Sequence, residues 1–304
     1  MKTILRTFVG CTAILFGTAC MGAVKYVPEN MKVELSLKVP GNNAVNYKLH
    51  PDKLENSYFD YEWRSDNKLP ITVFHKVEER DSCMRLTVQL TAAQDVYFNY
   101  RQLLSTGYRH DNCQFYMPGF WYRRNLRSPK KAPSFHTSDS WLVREDRLSA
   151  PLTGIFSEKE KRFMTVNRLD DFSMDALATH KEGEIILSGK TSLGFTGFEN
   201  QQGIAMLSFG FPYREAPKSY IRKLTLAPEV EAFQLMKKGE SVLLTWEIME
   251  SGADDFSDFI QHTWEHCYDT YAPKPVENSY SIADMKQVLS CFFVNSLVDN
   301  QPLV

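Results

Sequence analysis

The chain has 304 residues, of which 43% are hydrophobic and 24% are charged, a balance that excludes an intrinsically disordered chain. The formal net charge of −2 gives no global positive field, so the sequence predicts no nucleic-acid partner and no direct attraction to an anionic membrane. Aromatic residues make up 13% of the chain, a share that favours a β protein.

Residues 1–23 have the pattern of a signal peptide. Two basic residues precede an apolar run at residues 7–16, which is too short to span a bilayer, and small residues follow it. Cys20 comes next, so we predict either lipidation of Cys20 or plain cleavage near Ala19 or Ala23. Both outcomes predict an exported protein, in the periplasm or at the outer membrane or cell surface as a lipoprotein, with membrane contact only through that lipid anchor.

Residues 24–250 are predicted to form a β-sandwich domain. In Met31–Val39 every second residue is apolar and the residues between are polar, so one face of this strand should be buried. Similar runs predict further strands at Ser57–Arg64, Ile71–Val77, Met84–Leu90, Val96–Tyr100, Ser140–Arg147, Arg162–Arg168, Glu184–Ser188, Ile204–Phe211 and Ser241–Glu250. No helical pattern separates these runs, which excludes parallel βαβ units. The predicted fold class is therefore mainly β, a large antiparallel two-sheet sandwich or supersandwich followed by two C-terminal α-helices.

Residues 251–304 are predicted to be a helical linker and the start of a helical domain. Apolar residues recur at helical spacing from Asp254 to Tyr271, and Ser281–Asp284 has a capping-box pattern before a second apolar stripe. Two short helices cannot bury both stripes against each other, and such helices normally dock on further helices. We therefore expect a truncated chain whose partner helices are missing; the alternative is that both helices pack on the sandwich.

Four cysteines follow the signal segment: Cys83, Cys113, Cys267 and Cys291. None belongs to a C-x-x-C pair, so a structural zinc site of the usual spacing is not predicted. We expect isolated thiols, and a Cys83–Cys113 disulfide remains the alternative in an oxidising compartment.

The segment 108–147 interleaves aromatic residues with arginines. Aromatic planes beside guanidinium groups can stack on a sugar ring and hold a carboxylate or sulfate through paired hydrogen bonds. We expect Trp121 and Trp141 to supply the rigid exposed rings that stacking requires. The candidate carbohydrate-binding residues are Trp121, Tyr122, Arg124, Trp141, Arg144 and Arg147. Two alternatives remain open, namely a domain interface and simple decoration of strands.

No catalytic residue can be assigned from the sequence. A glycosidase needs two carboxylates across a cleft, whereas the acidic pairs at 145–146, 170–171 and 254–255 are typical of a strand, a turn and a helix N-terminus. His262–His266 matches the H-x-x-E-H pattern of inverted zinc peptidases, but its histidines lie on the flank of the predicted apolar face. We predict no metal site and no cofactor, and Gly194–Gly197 is interpreted as an aromatic hairpin turn.

Two motifs resemble the N-terminal region of large exported bacterial glycoside hydrolases: Tyr-Met-Pro-Gly-Phe-Trp-Tyr at residues 116–122 and Trp-Leu-Val-Arg-Glu-Asp-Arg-Leu-Ser-Ala-Pro-Leu-Thr-Gly at residues 141–154. In that family a β-supersandwich and a helical linker precede an (α/α)6 catalytic barrel. The resemblance implies that this chain is an amino-terminal piece, inactive alone, whose acid and base would lie on the missing or separate (α/α)6 domain. It also implies that the segment 108–147 reaches the catalytic cleft, with Arg144 or Arg147 meeting a uronic acid carboxylate.

The expected function is therefore that of a noncatalytic sandwich in a glycoside hydrolase-like protein acting on polysaccharide, including acidic polysaccharide. Its expected partners are carbohydrate or its own helical catalytic domain. The first alternative is an exported surface binding or structural protein with no enzymatic role. A complete enzyme with an unrecognised site is the second.

Overall fold

The computed structural model describes residues 27–80, 83–127, 133–170, 183–187, 189–216, 218–219, 226–227, 229–274 and 281–296. The predicted signal peptide, including Cys20, lies outside the described residues. The chain divides into two compact units, residues 1–261 and 262–304, and each is described by itself.

The first unit is built from short strands. They are β1 (Met31–Lys38), β2 (Val45–Lys53), β3 (Tyr61–Arg64), β4 (Ile71–Glu79), β5 (Cys83–Ala92), β6 (Val96–Arg109), β7 (Cys113–Met117), β8 (Trp121–Arg123), β9 (Trp141–Arg144), β10 (Leu152–Ser157), β11 (Arg162–Arg168), β12 (Gly183–Leu187), β13 (Phe195–Gln201), β14 (Ile204–Phe211), β15 (Arg214–Glu215), β16 (Lys218–Ser219), β17 (Leu226–Ala227), β18 (Val230–Met236) and β19 (Ser241–Gly252). Short 3-10 turns lie at Pro28–Asn30, His110–Asn112 and Glu145–Arg147.

The first sheet is centred on the long strand β6. Strand β1 pairs with one edge of β6, where Leu35 lies opposite Tyr100, and β14 pairs with the other edge, where Phe209 lies opposite Gln102. Strand β2 continues the sheet beyond β1, and β13 and β9 continue it beyond β14. Strand β18 pairs with the start of β6 and also with β15 and, in parallel, with β12.

The second sheet has the order β8–β7–β10–β11–β19–β5–β4–β3, and every neighbouring pair in it is antiparallel. Strand β2 belongs to both sheets, because its first half pairs with β1 and residues His50–Lys53 pair with β3. The predicted fold class is confirmed: the described chain is mainly β, with two sheets in which every strand pair but β12–β18 is antiparallel, and with helices after them.

Large aromatic side chains fill the space between the sheets. Tyr100 of β6 stacks on Trp246 of β19 with ring centroids 6.2 Å apart, and Phe209 of β14 lies 5.1 Å from the same ring. At the end of the unit Phe259 packs 5.0 Å from Phe163, and a Cβ added at Gly154 would lie 2.6 Å from the Phe259 ring. Burial of rings of this size is the main stabilising term for such a sandwich.

The predicted turn at Gly194–Gly197 is wrong. Residues Phe195–Gln201 form β13, which pairs with β9 on one side and β14 on the other. A Cβ at Gly197 would lie 1.9 Å from the carbonyl oxygen of Trp141, so glycine is needed here for close approach of two strands. The predicted strand Ser140–Arg147 is too long, because β9 ends at Arg144 and a 3-10 turn follows.

Two helices follow the strands, α1 (Phe256–Tyr271), which begins in the first unit and continues into the second, and α2 (Ile282–Ser296). Asp255 caps α1, since its Oδ1 accepts hydrogen bonds from the backbone N–H groups of Ser257 and Asp258 at 2.7 and 3.0 Å. The predicted capping box of α2 is confirmed, because Ser281 and Asp284 exchange side-chain to backbone hydrogen bonds at 3.1 and 3.0 Å.

No side chain of α2 is buried. Within the described residues, neither helix combines the length and the apolar character that crossing a bilayer requires. The domain limits 24–250 and 251–304 and the expected partner helices stay predictions.

Candidate anion-binding cleft

A cleft of about 770 Å³ lies beside β7, β8 and the loop that follows β8. We call it the arginine cleft, and its lining residues are Gln114, Tyr122, Arg123, Arg124, Asn125, Leu126 and Arg127. All of them fall within the segment 108–147 that the sequence marked by its aromatic residues and arginines.

A left-handed backbone shapes the loop of this cleft. Arg123 has φ of 56° and Asn125 has φ of 49°, a region that residues other than glycine adopt only at a cost. The side chain of Asn125 holds the conformation, since its Oδ1 accepts the N–H of Tyr122 at 3.1 Å and its Nδ2 donates to the carbonyls of Phe120 and Pro133, both at 3.2 Å. The loop is therefore fixed by its own hydrogen bonds before any ligand arrives.

Two of the arginines are positioned by neutral groups. The Nε of Arg124 donates to the carbonyl of Cys113 at 3.1 Å, its Nη2 donates to the carbonyl of Asp111, and its guanidinium lies 5.1 Å from the centroid of the Phe135 ring. The Nη1 of Arg123 donates to Oε1 of Gln114 at 3.2 Å. These contacts orient both guanidinium groups without neutralising their charges.

Arg123, Arg124 and Arg127 form no ion pair with a carboxylate of the described residues. Every other described arginine does: Arg64, Arg80, Arg85, Arg101, Arg109, Arg144, Arg147, Arg162, Arg168 and Arg214. The arginine cleft thus concentrates the guanidinium groups whose charge is left uncompensated. An electropositive pocket of this kind suits a carboxylate, sulfate or phosphate.

No acidic residue is among the described residues that line the cleft, and two carboxylates lie beside it. Asp255 lies close enough to Arg123 for that arginine to help lower its pKa, after the larger effect of the backbone hydrogen bonds from Asp258 and Ser257. Glu158 accepts a hydrogen bond from Nε2 of Gln114. The net charge of the cleft lining itself is positive.

The expected exposed tryptophan rings are absent, because Trp121 and Trp141 are 0% and 1% exposed. Their ring centroids lie 5.6 Å apart, and Nε1 of Trp121 donates to the carbonyl of Arg123 at 2.9 Å, while Nε1 of Trp141 donates to that of Ser138 at 3.0 Å. Both rings therefore support the loop from within the core. The expectation that they would offer a stacking surface is wrong.

Arg144 and Arg147 lie outside the lining of the arginine cleft. Arg144 pairs with Asp146, at 2.5 Å between Nε and Oδ1, and Arg147 pairs with Glu215. Of the predicted site residues, the cleft brings together only Tyr122 and Arg124. The predicted set of binding residues omitted Arg123, Asn125 and Arg127, although the compact Arg-Arg-Asn-Leu-Arg run at residues 123–127 was a usable signal.

The acidic pair at 145–146 lines neither the arginine cleft nor the other cleft described below. Glu145 is fully buried, and its Oε2 accepts hydrogen bonds from Nη1 of Arg168 at 2.6 Å and from the N–H of Gly194 at 2.7 Å. Burial raises the pKa of Glu145, while the adjacent Arg168 opposes the rise. This geometry is that of a structural ion pair.

Cys83 and Cys113 are buried and form no disulfide with each other. Burial raises the pKa of Cys113 to about 12 and that of Cys83 to about 11, so both stay protonated at neutral pH.

No protein-family model matches the chain, and no curated protein matches its sequence. Among solved structures, a polysaccharide lyase matches with 14% identity and a TM-score of 0.34, over 77% of this chain and 27% of its own. The Slr1438 protein from Synechocystis sp. PCC 6803 matches with 7% identity and a TM-score of 0.38, over 77% of both chains. A protein assigned as a kojibiose phosphorylase, from the human microbiome, matches with 6% identity and a TM-score of 0.29, over 87% of this chain and 27% of its own.

The chain therefore spans little more than a quarter of the polysaccharide lyase and of the kojibiose phosphorylase, at 27% each. At these similarities the matches say nothing about activity, and the function is inferred from the cleft itself.

Proposed function

We propose that this protein is a noncatalytic carbohydrate-binding sandwich that holds acidic saccharides in the arginine cleft, within a system that degrades polysaccharide. The observation that carries the proposal is the set of guanidinium groups of Arg123, Arg124 and Arg127, which line one cleft and form no ion pair with the described carboxylates. A uronic acid or a sulfated sugar supplies the missing negative charge.

The geometry of the lining suits a ring that carries an anion. A guanidinium group matches a carboxylate or sulfate through two parallel hydrogen bonds, which fix its orientation as well as its charge. Tyr122 is 52% exposed, and its hydroxyl accepts a hydrogen bond from the N–H of Gly119 at 3.2 Å, which holds the ring in place. Tyr122 thus offers the apolar face that the buried tryptophans do not.

The rigidity of the loop favours binding. The side-chain hydrogen bonds of Asn125 already order the loop, so a ligand does not have to order it on arrival. Arg123 and Arg127 are exposed to solvent, so dissolved ions screen their charges. The affinity for an acidic saccharide should therefore fall as salt is added.

The test is calorimetric titration with a tetramer of galacturonic acid and with a neutral tetramer of glucose. Arg127→Ala should weaken binding of the acidic tetramer by about 10-fold to 150-fold, since a hydrogen bond to a charged group contributes about 1.5–3 kcal/mol. The double variant Arg124→Ala/Arg127→Ala should abolish it. Arg80→Ala is the matched control, because Arg80 is exposed and pairs with Glu78 on a different part of the sandwich.

Absence of acidic saccharide binding by the unaltered protein would contradict the proposal. So would an equal loss of affinity in Arg80→Ala, since the effect would then reflect overall charge. A third contradiction would be an affinity that does not change between about 50 and about 500 mM salt.

We also propose that the chain is exported, with either lipidation of Cys20 or plain cleavage near Ala19 or Ala23. Mass spectrometry of the mature N-terminus distinguishes these outcomes, because lipidation leaves an acylated Cys20 as the first residue. Cys20→Ser should then release the protein from the membrane fraction. Recovery of the full unprocessed chain from the cytoplasm would contradict export.

A further inference from the structure

A second cleft, of about 530 Å³, lies where β6 begins. It is formed by the turn between β1 and β2, the start of β6 and the end of β18. The arginine cleft lies just past the other end of β6, since Arg124 donates to the carbonyls of Asp111 and Cys113. Strand β6 spans residues 96–109, so the two clefts are separated by about 40 Å along the strand.

The charges in this second cleft are balanced within the protein. Lys38 forms an ion pair with Glu184, and Lys237 forms one with Asp95 at 2.9 Å. This is the opposite of the arginine cleft, where the cations form no ion pair with a carboxylate of the described residues. A charged ligand therefore gains little here.

Two tyrosines line the second cleft, Tyr47 on β2 and Tyr97 on β6, and both are half-buried. Tyr47 lies opposite Leu35 and packs against the core, whereas Tyr97 lies opposite Lys38, so the two side chains are on opposite faces of the sheet. The Tyr97 ring stacks on no other aromatic ring of the described residues. It therefore offers a flat apolar face to the C–H groups of a bound molecule.

Hydrogen-bonding groups also line the second cleft. The exposed side chains of Asn42, Asn43 and Gln94 form no hydrogen bond with any described residue, and an amide can both donate and accept. Asp95 accepts the N–H of Lys238 and the ammonium of Lys237, both at 2.9 Å, which fixes its carboxylate and lowers its pKa. An ionised carboxylate of this kind is an acceptor for hydroxyl groups.

We propose that this second cleft binds an uncharged sugar ring, with Tyr97 against a C–H face and with the amides and Asp95 on its hydroxyl groups. The cleft volume lies within the range of small-ligand sites. A neutral polyol satisfies amides and a carboxylate together, whereas a charged ligand would meet cations that are already paired with carboxylates and an apolar ligand would leave these polar groups unpaired. This site is distinct in position and in chemistry from the arginine cleft.

The test uses the intact chain and two neutral probes, a β-linked and an α-linked tetramer of glucose, in saturation-transfer NMR followed by calorimetric titration. Tyr97→Leu and Asn43→Ala should each weaken binding of the neutral probe at least about fivefold, and Asn43 lies in an exposed turn whose change should not disturb folding. Tyr58→Leu is the control, because Tyr58 is an exposed tyrosine outside both clefts. Arg127→Ala should leave this affinity unchanged.

The proposal is overturned if neither probe binds at about 10 mM, the weak end of specific binding. It is also overturned if Asn43→Ala and Tyr97→Leu, shown to be folded by circular dichroism, bind as the unaltered chain does. Loss of neutral-sugar binding in Arg127→Ala would place the binding in the arginine cleft and refute a second site. None of these outcomes depends on whether acidic saccharides bind.

Discussion

Replacing Arg168 by methionine tests the buried ion pair that lies beneath the turn after β9. Arg168 donates from Nη1 to Glu145 at 2.6 Å and to the carbonyl of Ser192 at 3.0 Å, and from Nε to Asp170 at 3.0 Å. Glu145 is fully buried, and its Oε1 has no hydrogen-bond partner among the described residues. Arg168→Met would leave this carboxylate held by the N–H of Gly194.

Breaking a buried pair by removing one partner costs about 3–5 kcal/mol, because the other charge stays in a low-dielectric interior. That is a large part of the total stability of a domain, which is about 5–15 kcal/mol. Burial already raises the pKa of Glu145, and loss of Arg168 removes the cation that opposes the rise. The cost in Arg168→Met should therefore be largest near neutral pH and should shrink as pH falls and Glu145 becomes protonated in the folded state.

The measurement is urea unfolding followed by tryptophan fluorescence, at neutral pH and at about pH 5, in a double-mutant cycle with Glu145→Gln. In the Glu145→Gln background Arg168→Met leaves no buried carboxylate without its cation, so it should lower the free energy of unfolding by at least about 2 kcal/mol less than in the unaltered protein. A cost below about 1 kcal/mol at neutral pH would refute the reasoning. An equal cost in both backgrounds would refute it as well, since Glu145 would then not be the group that needs Arg168.

Four further predictions concern single side chains. Trp141→Ala should lower the free energy of unfolding by about 3–5 kcal/mol rather than lower saccharide affinity selectively, as urea unfolding beside calorimetry would show, because the ring is 1% exposed. Asn125→Ala should lower the melting temperature more than Asn125→Gly, because alanine in the left-handed region costs about 1–2 kcal/mol and glycine does not. Iodoacetamide should modify the exposed Cys291 well before the buried Cys113, whose pKa is raised to about 12; mass spectrometry of the folded chain at about pH 8 checks this order. Burial lowers the pKa of His75 to about 3, so the free energy of unfolding should fall as pH drops from about 6.5 towards that value, by up to about 1.4 kcal/mol per pH unit. Above about pH 6.5 the contribution of neutral His75 to stability is fully present. Urea unfolding of His75→Gln across this pH range should lack that pH dependence.

The sequence predicted the strands that have one buried face and one face open to solvent. Strands β1, β5 and β19 alternate between buried and open positions over much of their length, and each lies within or near a predicted run. Strands β7 and β10 were missed because every residue in them is buried, so no alternation marks them. Strand β2 was missed for the opposite reason: all but two of its residues are exposed, and Pro51 lies within it.

The candidate site was predicted only as a segment. The residues that line the arginine cleft lie within the segment 108–147 that composition indicated, but composition could not tell which aromatic rings turn inward from a strand as short as β8. Ion pairs between residues far apart in the chain could not be predicted either, since Arg147 pairs with Glu215, which is 68 positions away. Arg123, Arg124 and Arg127 stand out only when the partners of all the other described arginines are known.

Strand β2 has a mechanical consequence for the sandwich. Its pairing partner changes from β1 to β3 between Leu49 and His50, so one continuous strand is hydrogen-bonded into both sheets. The layers cannot shear or peel apart along that edge unless β2 gives up one set of its ladder bonds. The edge that contains β2 should therefore be the most rigid part of the first unit. Motion of one sheet relative to the other should be greatest at the edges far from β2.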